Sequence, residues 1–317
     1  ISIMVGRAGT GKSYSLKAAK MAWEMSGYRV YGIALAGIAA DNLSLDSDIE
    51  SRTIESFSYA INEGKLRLRS KDVVVMDEAG MTDTISMFKV LVEVAKAGAK
   101  LVLVGDPDQL QPVGAGAIFR AFLERIGFAE LYTIQRQVEE WQREATTHFA
   151  AGRTQQAITD YEEHNCVSFT DTPTLSMEAL IQDWAASLKT STLPDNLILA
   201  YQNVDVEALN KLAREELVSQ KILLNSVTTR NETTEIKISI GERILFLENS
   251  WRYGVKNGQR ATIVEIETDS KKNVIAIKAL LDGKKKKVVH FEPKCYKKFS
   301  YGYAVTVHRA QGVTVHH

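Results

Sequence analysis

The chain has 317 residues, which is room for roughly two domains and too long for a mini-protein that depends on disulfides. Hydrophobic residues make up 45% and charged residues 25%, so the composition excludes a disordered or collagen-like protein. No apolar run reaches the ~20 residues that cross a bilayer, and no signal peptide is evident. Cys166 and Cys295 lack the spacing of a zinc site, and we expect them to be reduced and buried. We therefore expect a folded, cytoplasmic protein without a membrane segment.

The formal net charge is +0, but the charges are unevenly distributed along the chain. Residues 251–317 contain 14 lysines and arginines against 5 aspartates and glutamates, and the preceding residues carry the opposite excess. A basic segment on an acidic body favours a local contact with a polyanion over a protein that coats nucleic acid with its whole surface.

The first motif is a glycine-rich loop between a short apolar strand and a helical pattern at 14–25. The loop reads GRAGTGKS and ends at Ser13. Loops of this kind turn backbone N–H groups around phosphates. We expect Lys12 to contact the β- and γ-phosphates and Ser13 to coordinate Mg²⁺. The nucleotide-binding residues of the loop are predicted to be Gly6, Gly9, Thr10, Gly11, Lys12 and Ser13.

A second motif follows residues 72–76 (DVVVM), an apolar run typical of a buried strand in a parallel sheet. We expect Asp77, at the end of this strand, to hold Mg²⁺. Glu78 is expected to accept a proton from the attacking water. Two acidic residues at a strand end are also typical of a solvated loop, but the phosphate loop before them favours catalysis.

A third apolar strand, at 100–104, leads into the polar loop GDPDQLQPV. Open α/β sheets bind ligands at the carboxyl ends of their strands. Gln109 has a side chain that both donates and accepts hydrogen bonds, and we predict that it senses the γ-phosphate or the attacking water. A proline-flanked turn without that role is the alternative that spacing leaves open.

Together, the blocks GRAGTGKS, VVVMDEAGM and LVLVGDPDQLQPVGAG resemble motifs I, II and III of superfamily one DNA helicases of the RecD-like branch. Four other blocks resemble further motifs of the same branch, two of them between motifs I and II and two after motif III: GIAADNL (37–43), RTIES (52–56), TIQRQ (133–137) and YAVTVHRAQG (303–312). The resemblance implies that Arg136 points at the γ-phosphate from the interdomain side. Within the branch, the DEAGM and TIQRQ blocks most resemble the helicase portion of TraA/TraI conjugative relaxases, and RecD-type repair helicases are the near alternative.

The resemblance implies an α/β fold of two RecA-like parallel-sheet domains, the second incomplete, with a small SH3-like β-barrel insertion. We predict the first RecA-like, ATP-binding domain at 1–137, the first part of the second domain at 138–239, the barrel at 240–293 and the continuation of the second domain at 294–317. Helical patterns are predicted at 84–96, 139–161 and 204–217. Short alternating strands at 242–247, 259–267, 274–281 and 287–291 independently indicate the barrel.

The family implies an ATP-dependent 5′ to 3′ helicase or translocase that uses ATP and Mg²⁺, binds single-stranded DNA and works with other conjugation or DNA-processing proteins. The family's DNA contacts fall on Thr53, His308 and Gln311. The lysine run adds Lys285 and Lys286, although such a run is also typical of a solvated hairpin tip. Trp251 and Tyr253 lie beside cations in the sequence, as in surfaces that bind single-stranded DNA. Packing in the barrel is the alternative for both.

Two features of the family are missing from this sequence. It has no three-histidine cluster of a nicking domain, so we do not expect nicking. It ends before motif VI, whose arginine completes the ATP site. This leaves open a nucleotide- and DNA-binding fragment that hydrolyses ATP feebly and does not unwind DNA. A phosphate-loop kinase or GTPase is disfavoured, because GDPDQLQP and VHRAQG belong to neither.

Overall fold

The computed structural model describes residues 1–112, 114–137, 139–283 and 286–310. The chain divides into two compact units, the first covering Ile1–Ser168 and the second beginning at Phe169. This division lies beyond the predicted domain limit at residue 137, so that the helices Glu140–Ala150 and Thr154–Glu163 fall in the first unit. Among the described residues, no helix is both long and apolar enough to cross a membrane.

The first unit is built on a six-stranded sheet with the order β3-β2-β4-β5-β1-β6, in which every neighbouring pair is parallel. The strands are β1 (Ser2–Gly6), β2 (Arg29–Ala34), β3 (Ser51–Thr53), β4 (Asp72–Met76), β5 (Lys100–Gly105) and β6 (Ala129–Leu131). The helices are α1 (Lys12–Met25), α2 (Gly37–Ser47), α3 (Ile54–Asn62), α4 (Thr84–Ala97), α5 (Ile118–Ile126), α6 (Glu140–Ala150) and α7 (Thr154–Glu163). Since β5 lies between β1 and β4, the loops that leave these three strands meet at one edge of the sheet.

The core of the first unit lies on both faces of this sheet. Every residue of β4 is buried. Its side chains alternate, so that Val74 packs in a cluster with Met87 of α4 and Val75 packs in another with Leu16 of α1. A strand that is covered by helices on both faces reads as a continuous apolar run, which is why the sequence predicts it well.

One predicted helix in the first unit needs correction, and two short strands were missed. The helical pattern at 139–161 forms two helices, α6 and α7, which are separated at Gly152 with a φ of 73°. Strands β3 and β6 were not predicted, because three residues carry too little alternation to be recognised.

The second unit combines a small α/β part with antiparallel strands. Its helices are α8 (Pro173–Ser187), α9 (Asn203–Ser219) and α10 (Val307–Ala310). Its strands are β7 (Ile198–Ala200), β8 (Val227–Arg230), β9 (Glu235–Ile238), β10 (Arg243–Phe246), β11 (Arg260–Thr268), β12 (Val274–Leu281), β13 (Val288–Phe291), β14 (Phe299–Tyr301) and β15 (Ala304–Thr306). Strands β7 and β15 form a parallel pair.

The four predicted insertion strands are present as β10 to β13. They form a five-stranded antiparallel sheet with β14, in the order β13-β12-β11-β10-β14. The hairpin β8–β9 packs on the same core, where its Ile238 joins Phe246, Phe291 and Phe299. The core therefore uses residues on both sides of the predicted limits 240–293.

Buried hydrogen bonds attach β15 to α9. The Asn210 Nδ2 donates to the Ala304 carbonyl over 3.0 Å. Its Oδ1 accepts from the Tyr303 N–H at 2.9 Å and from the Ala304 N–H at 3.0 Å. One asparagine thereby holds the strand that leads into α10. The prediction of buried cysteines is wrong, because Cys166 and Cys295 are both exposed, free thiols.

Candidate active site

The phosphate loop joins β1 to α1 as the sequence predicts. Gly9 and Gly11 adopt φ values of 82° and 84°, in the left-handed region that favours glycine. Helix α1 begins after Gly11, and this N-cap residue has no side chain that could accept from the first N–H groups of the helix. The N–H groups of the first helical turn, which includes Ser13, are therefore available to a bound anion.

Lys12 folds back over the loop. Its Nζ donates to the Gly6 carbonyl at 2.6 Å and to the Arg7 carbonyl at 3.2 Å. The Thr10 hydroxyl also donates to the Arg7 carbonyl, at 2.9 Å. The ammonium group is thus already held at the phosphate loop by two neutral acceptors, which phosphate oxygens can replace with stronger charge-assisted bonds.

Arg136 lies against the same loop. The neighbouring Gln135 N–H donates to the Gly9 carbonyl at 2.7 Å. A Cβ built on Gly9 would overlap the Cβ of Arg136. Arg136 therefore lies in the first unit, with its Cβ next to the phosphate loop. That it points at the γ-phosphate from the interdomain side stays a prediction.

Asp77 and Glu78 stand at the carboxyl end of β4. The Asp77 N–H donates to the Ile33 carbonyl at 2.9 Å, and its Oδ1 accepts from the Glu78 N–H at 2.9 Å. Burial raises the pKa of the Asp77 carboxyl, against the lowering effect of this hydrogen bond and of Lys12. The backbone of Glu78 is in the left-handed region with a φ of 51°, an uncommon conformation that often marks a functional site.

Several charges act on Glu78. Burial raises its pKa to about 7, the Asp77 and Asp106 carboxylates raise it as well, and Lys12 and Arg136 lower it. The structure thus brings together four of the predicted residues, Lys12, Asp77, Glu78 and Arg136, within electrostatic reach of one another. A carboxyl group that titrates near neutral pH is suited to accept a proton from water.

Asp106 and two glycines of this site were missed from the sequence. Asp106 is buried, and its Oδ1 accepts from the Asp108 N–H at 3.0 Å. A Cβ on Gly80 would stand 2.9 Å from the Asp106 carbonyl, and a Cβ on Gly105 would stand 3.1 Å from the Gly80 nitrogen. The loops after β4 and β5 can touch because both lack side chains here. The glycines in DEAG and GDPD were the available signal.

Gln109 lies in the loop after β5, where its carbonyl accepts from the Gln111 amide at 3.2 Å. Its role toward the γ-phosphate stays a prediction.

Among the predicted DNA contacts, Thr53 caps α3, since its Oγ1 accepts from the Ser56 N–H at 3.1 Å. His308 and Lys286 are exposed, as a DNA contact requires. The predicted contacts Gln311 and Lys285 lie outside the described residues.

The residues at the loop fit a nucleotide with a divalent cation. The Ser13 hydroxyl and the Asp77 carboxylate are hard oxygen donors, which Mg²⁺ prefers. A cation near Asp77 would also offset the burial of its carboxylate. Gly6 lets the phosphate loop close tightly, because a Cβ there would stand 2.5 Å from the Thr10 hydroxyl and 3.3 Å from the Lys12 side chain.

Comparison with known proteins agrees with this geometry. Residues 1–172 match the AAA domain family AAA_30. The chain belongs to this family. It is 42% identical over 316 residues to the conjugal transfer protein TraA of Agrobacterium fabrum, covering 99% of this chain and 28% of that protein. It is 31% identical over 142 residues to the ATP-dependent RecD2 DNA helicase of Deinococcus radiodurans, covering 43% of this chain and 19% of that protein. The chain thus spans less than a third of the length of either relative.

A solved structure shares the fold along the whole chain. Bacteroides Pif1 helicase in complex with ADP-AlF3 and single-stranded DNA has a TM-score of 0.58 at 18% identity, covering 99% of this chain and 81% of that one. The likeness confirms the expected RecA-like helicase fold. With the TraA and RecD2 relatives, it confirms the resemblance to RecD-like helicases and conjugative relaxases.

Proposed function

We propose that this chain is the ATP-dependent DNA helicase module of a conjugative relaxase, which couples ATP hydrolysis to 5′ to 3′ movement on single-stranded DNA. The observation that carries the proposal is the meeting of Lys12, Asp77, Glu78 and Arg136 at the phosphate loop. A RecD-type repair helicase is less well supported, because similarity to RecD2 covers 43% of the chain and similarity to TraA covers 99%.

The chemistry follows from the charges at the loop. Glu78 accepts the proton of the attacking water, since its pKa of about 7 leaves a carboxylate at slightly alkaline pH that is still a useful base. Lys12 and Arg136 stabilise the negative charge that develops on the γ-phosphoryl oxygens. Arginines in this role contribute on the order of 10³ to 10⁵ in rate. Mg²⁺, held by Ser13 and Asp77, would neutralise charge on the β- and γ-phosphates.

The DNA-binding part of the proposal rests on the second unit and on α3. The Bacteroides Pif1 that shares the fold was crystallised with single-stranded DNA. In this chain the basic residues concentrate beyond residue 250, within the second unit. We assign an ATP-binding domain to 1–137, a second RecA-like domain to 138–239 and 294–317, and an SH3-like insertion to 240–293; in this assignment residues 138–168 are the part of the second domain that clusters with the first unit. Thr53 and His308 are the proposed contacts in the helicase motifs.

Two substitutions test the roles at the loop. Lys12→Ala removes the cation that meets the phosphates, so we expect it to lose affinity for a fluorescent ATP analogue. Glu78→Gln keeps the shape of the side chain and removes the base, so it should bind the analogue normally and hydrolyse ATP at a greatly reduced rate. An equal loss of binding in both variants would contradict these roles.

The polarity needs a separate test, because no residue described above encodes it. Displacement of streptavidin from biotin at the 3′ end of an oligonucleotide, compared with displacement from the 5′ end, reports the direction of movement. We expect ATP-dependent displacement from the 3′ end only. Displacement from the 5′ end alone would reverse the proposed direction while leaving the ATP site intact.

A further inference from the structure

The loop between β10 and β11 carries the most exposed large apolar side chain of the described residues. The Trp251 side chain is 94% exposed. The loop itself is closed, because Ser250 and Val255 pair in an antiparallel bridge with N···O distances of 2.9 and 3.1 Å. Trp251 is therefore presented by a fixed piece of backbone.

The residues that follow Trp251 anchor this loop in the core of the antiparallel sheet. Val255 is buried, and the Tyr253 ring lies 5.9 Å from the ring of Tyr296 and 6.5 Å from that of Phe291. The sequence left open whether Trp251 and Tyr253 pack in the core or face a ligand. The structure separates them, with Tyr253 against the core and Trp251 in solvent.

Two cations lie on or beside the Trp251 loop. Arg252 follows Trp251 directly with a side chain that is 69% exposed; its guanidinium lies 3.9 Å from a Glu292 carboxylate oxygen and 5.2 Å from the centre of the Tyr253 ring. Lys287, from the turn between β12 and β13, donates to the Gly254 carbonyl at 3.4 Å. Lys287, the residue before β13, thus lies beside the Trp251 loop, and positive charge reaches this loop from two chain segments.

Single exposed apolar residues are common on protein surfaces and need no explanation by themselves. Here a loop that is closed by two backbone hydrogen bonds, an exposed indole and cations from two chain segments occur together. Aromatic side chains beside cations are what proteins use to hold single-stranded nucleic acid without sequence preference, because every base offers a π-face and every nucleotide a phosphate.

We propose that Trp251 is a base-stacking platform for single-stranded DNA, with Arg252 and Lys287 contacting the adjacent phosphates. The inference rests on the proposed function and adds to it a contact outside the helicase motifs. It assigns base stacking to the indole and the salt-dependent part of binding to the cations, so the two contributions can be measured separately.

The test uses the whole chain and a fluorescein-labelled oligo-dT, with binding followed by anisotropy over a series of salt concentrations. We expect Trp251→Ala to weaken binding roughly 5- to 150-fold with an unchanged salt slope. Lys287→Ala should flatten that slope by about 0.7. Trp251→Phe, which keeps an aromatic face, should restore most of the affinity. Met25→Ala, which truncates another exposed apolar side chain in the first unit, should bind like the wild type.

An oligonucleotide of abasic sites isolates the stacking contribution. It keeps the phosphates and removes the bases, so the wild type and Trp251→Ala should bind it equally. Equal binding of oligo-dT by the wild type and Trp251→Ala, or an equal loss on the abasic strand, would overturn the platform and leave the proposed function standing. Failure of the wild type to bind oligo-dT at low salt would instead overturn the proposed function itself.

Discussion

Glu78 is the residue on which the chemistry depends, and its surroundings set its protonation. Burial and the carboxylates of Asp77 and Asp106 push its pKa up to about 7, while Lys12 and Arg136 oppose them. A base must be deprotonated to act, so hydrolysis should increase as pH rises through this value. The uncharged form dominates below it, and turnover should be slow there.

The pH dependence of kcat/KM for ATP reports this group in the free enzyme. We expect kcat/KM to rise with pH and to reach half its maximum near pH 7, the pKa of Glu78. Asp106→Asn removes one of the charges that raise this pKa, so its midpoint should shift to lower pH. Asp108→Asn, in the same loop but with an exposed side chain, is the matched control and should keep the wild-type midpoint. Identical profiles for all three proteins would contradict the electrostatic account.

Gly9 is the second residue whose identity the geometry fixes. Its backbone has a positive φ, and a Cβ would overlap Arg136. Gly64 has a similar φ of 69°, but no heavy atom lies within 4 Å of the place a Cβ would take. The two positions share the backbone strain of an alanine and differ in the overlap.

Alanine substitutions at these two glycines therefore separate strain from displacement of Arg136. Gly64→Ala should lower the free energy of unfolding by about 1–2 kcal/mol and leave ATP hydrolysis unchanged. Gly9→Ala should lower it at least as much and slow turnover about 10²-fold, because it shifts a residue of the site. Urea unfolding and steady-state hydrolysis measure the two effects, and normal turnover in Gly9→Ala would show that Arg136 need not lie where it does.

At the scale of elements, α9 organises the second unit through two buried side chains. Asn210 holds the backbone of β15 by three hydrogen bonds. One turn later, Arg214 pairs with the buried Glu242 at 3.2 Å, and Glu242 also accepts from the Tyr303 hydroxyl. The strand that leads to His308 is thus fixed by its backbone and by a side chain.

Asn210→Ala would leave two N–H groups and one carbonyl without these partners. Since each unpaired buried polar group costs about 1–3 kcal/mol, we expect the free energy of unfolding to fall by about 3 kcal/mol or more. Lys211→Ala, at the next and exposed position of α9, should change it by less than about 0.5 kcal/mol. Urea denaturation of both variants decides the matter. Equal stabilities would mean that water replaces Asn210 without cost.

Elements with strong local patterns were predictable, and those fixed by tertiary contacts were not. The run DVVVM fixes β4, because a strand buried on both faces must be apolar throughout. The break between α6 and α7 was missed, since one glycine within a helical pattern does not by itself predict a turn. Asn210 and Asp106 also escaped prediction, because nothing local distinguishes a buried, hydrogen-bonded side chain from a solvated one.

For the whole molecule, the motif order along the chain predicted the fold, and it places the proposed ATP site at the phosphate loop. It could not predict that Arg136 packs against Gly9 of the phosphate loop, because sequence order does not specify which residues meet in the fold. Nor could the motif order predict that Trp251 is exposed while Tyr253 packs against the core. Both are aromatic residues in one loop, and only the packing of the sheet distinguishes them.

Steady-state ATP hydrolysis by the whole chain, with and without single-stranded DNA, tests the central claim most directly. The proposed motor should hydrolyse ATP faster when oligo-dT is added, and Glu78→Gln should abolish the stimulated rate while still binding nucleotide and DNA. A wild-type rate that oligo-dT does not change, or a Glu78→Gln variant as active as the wild type, would contradict the account.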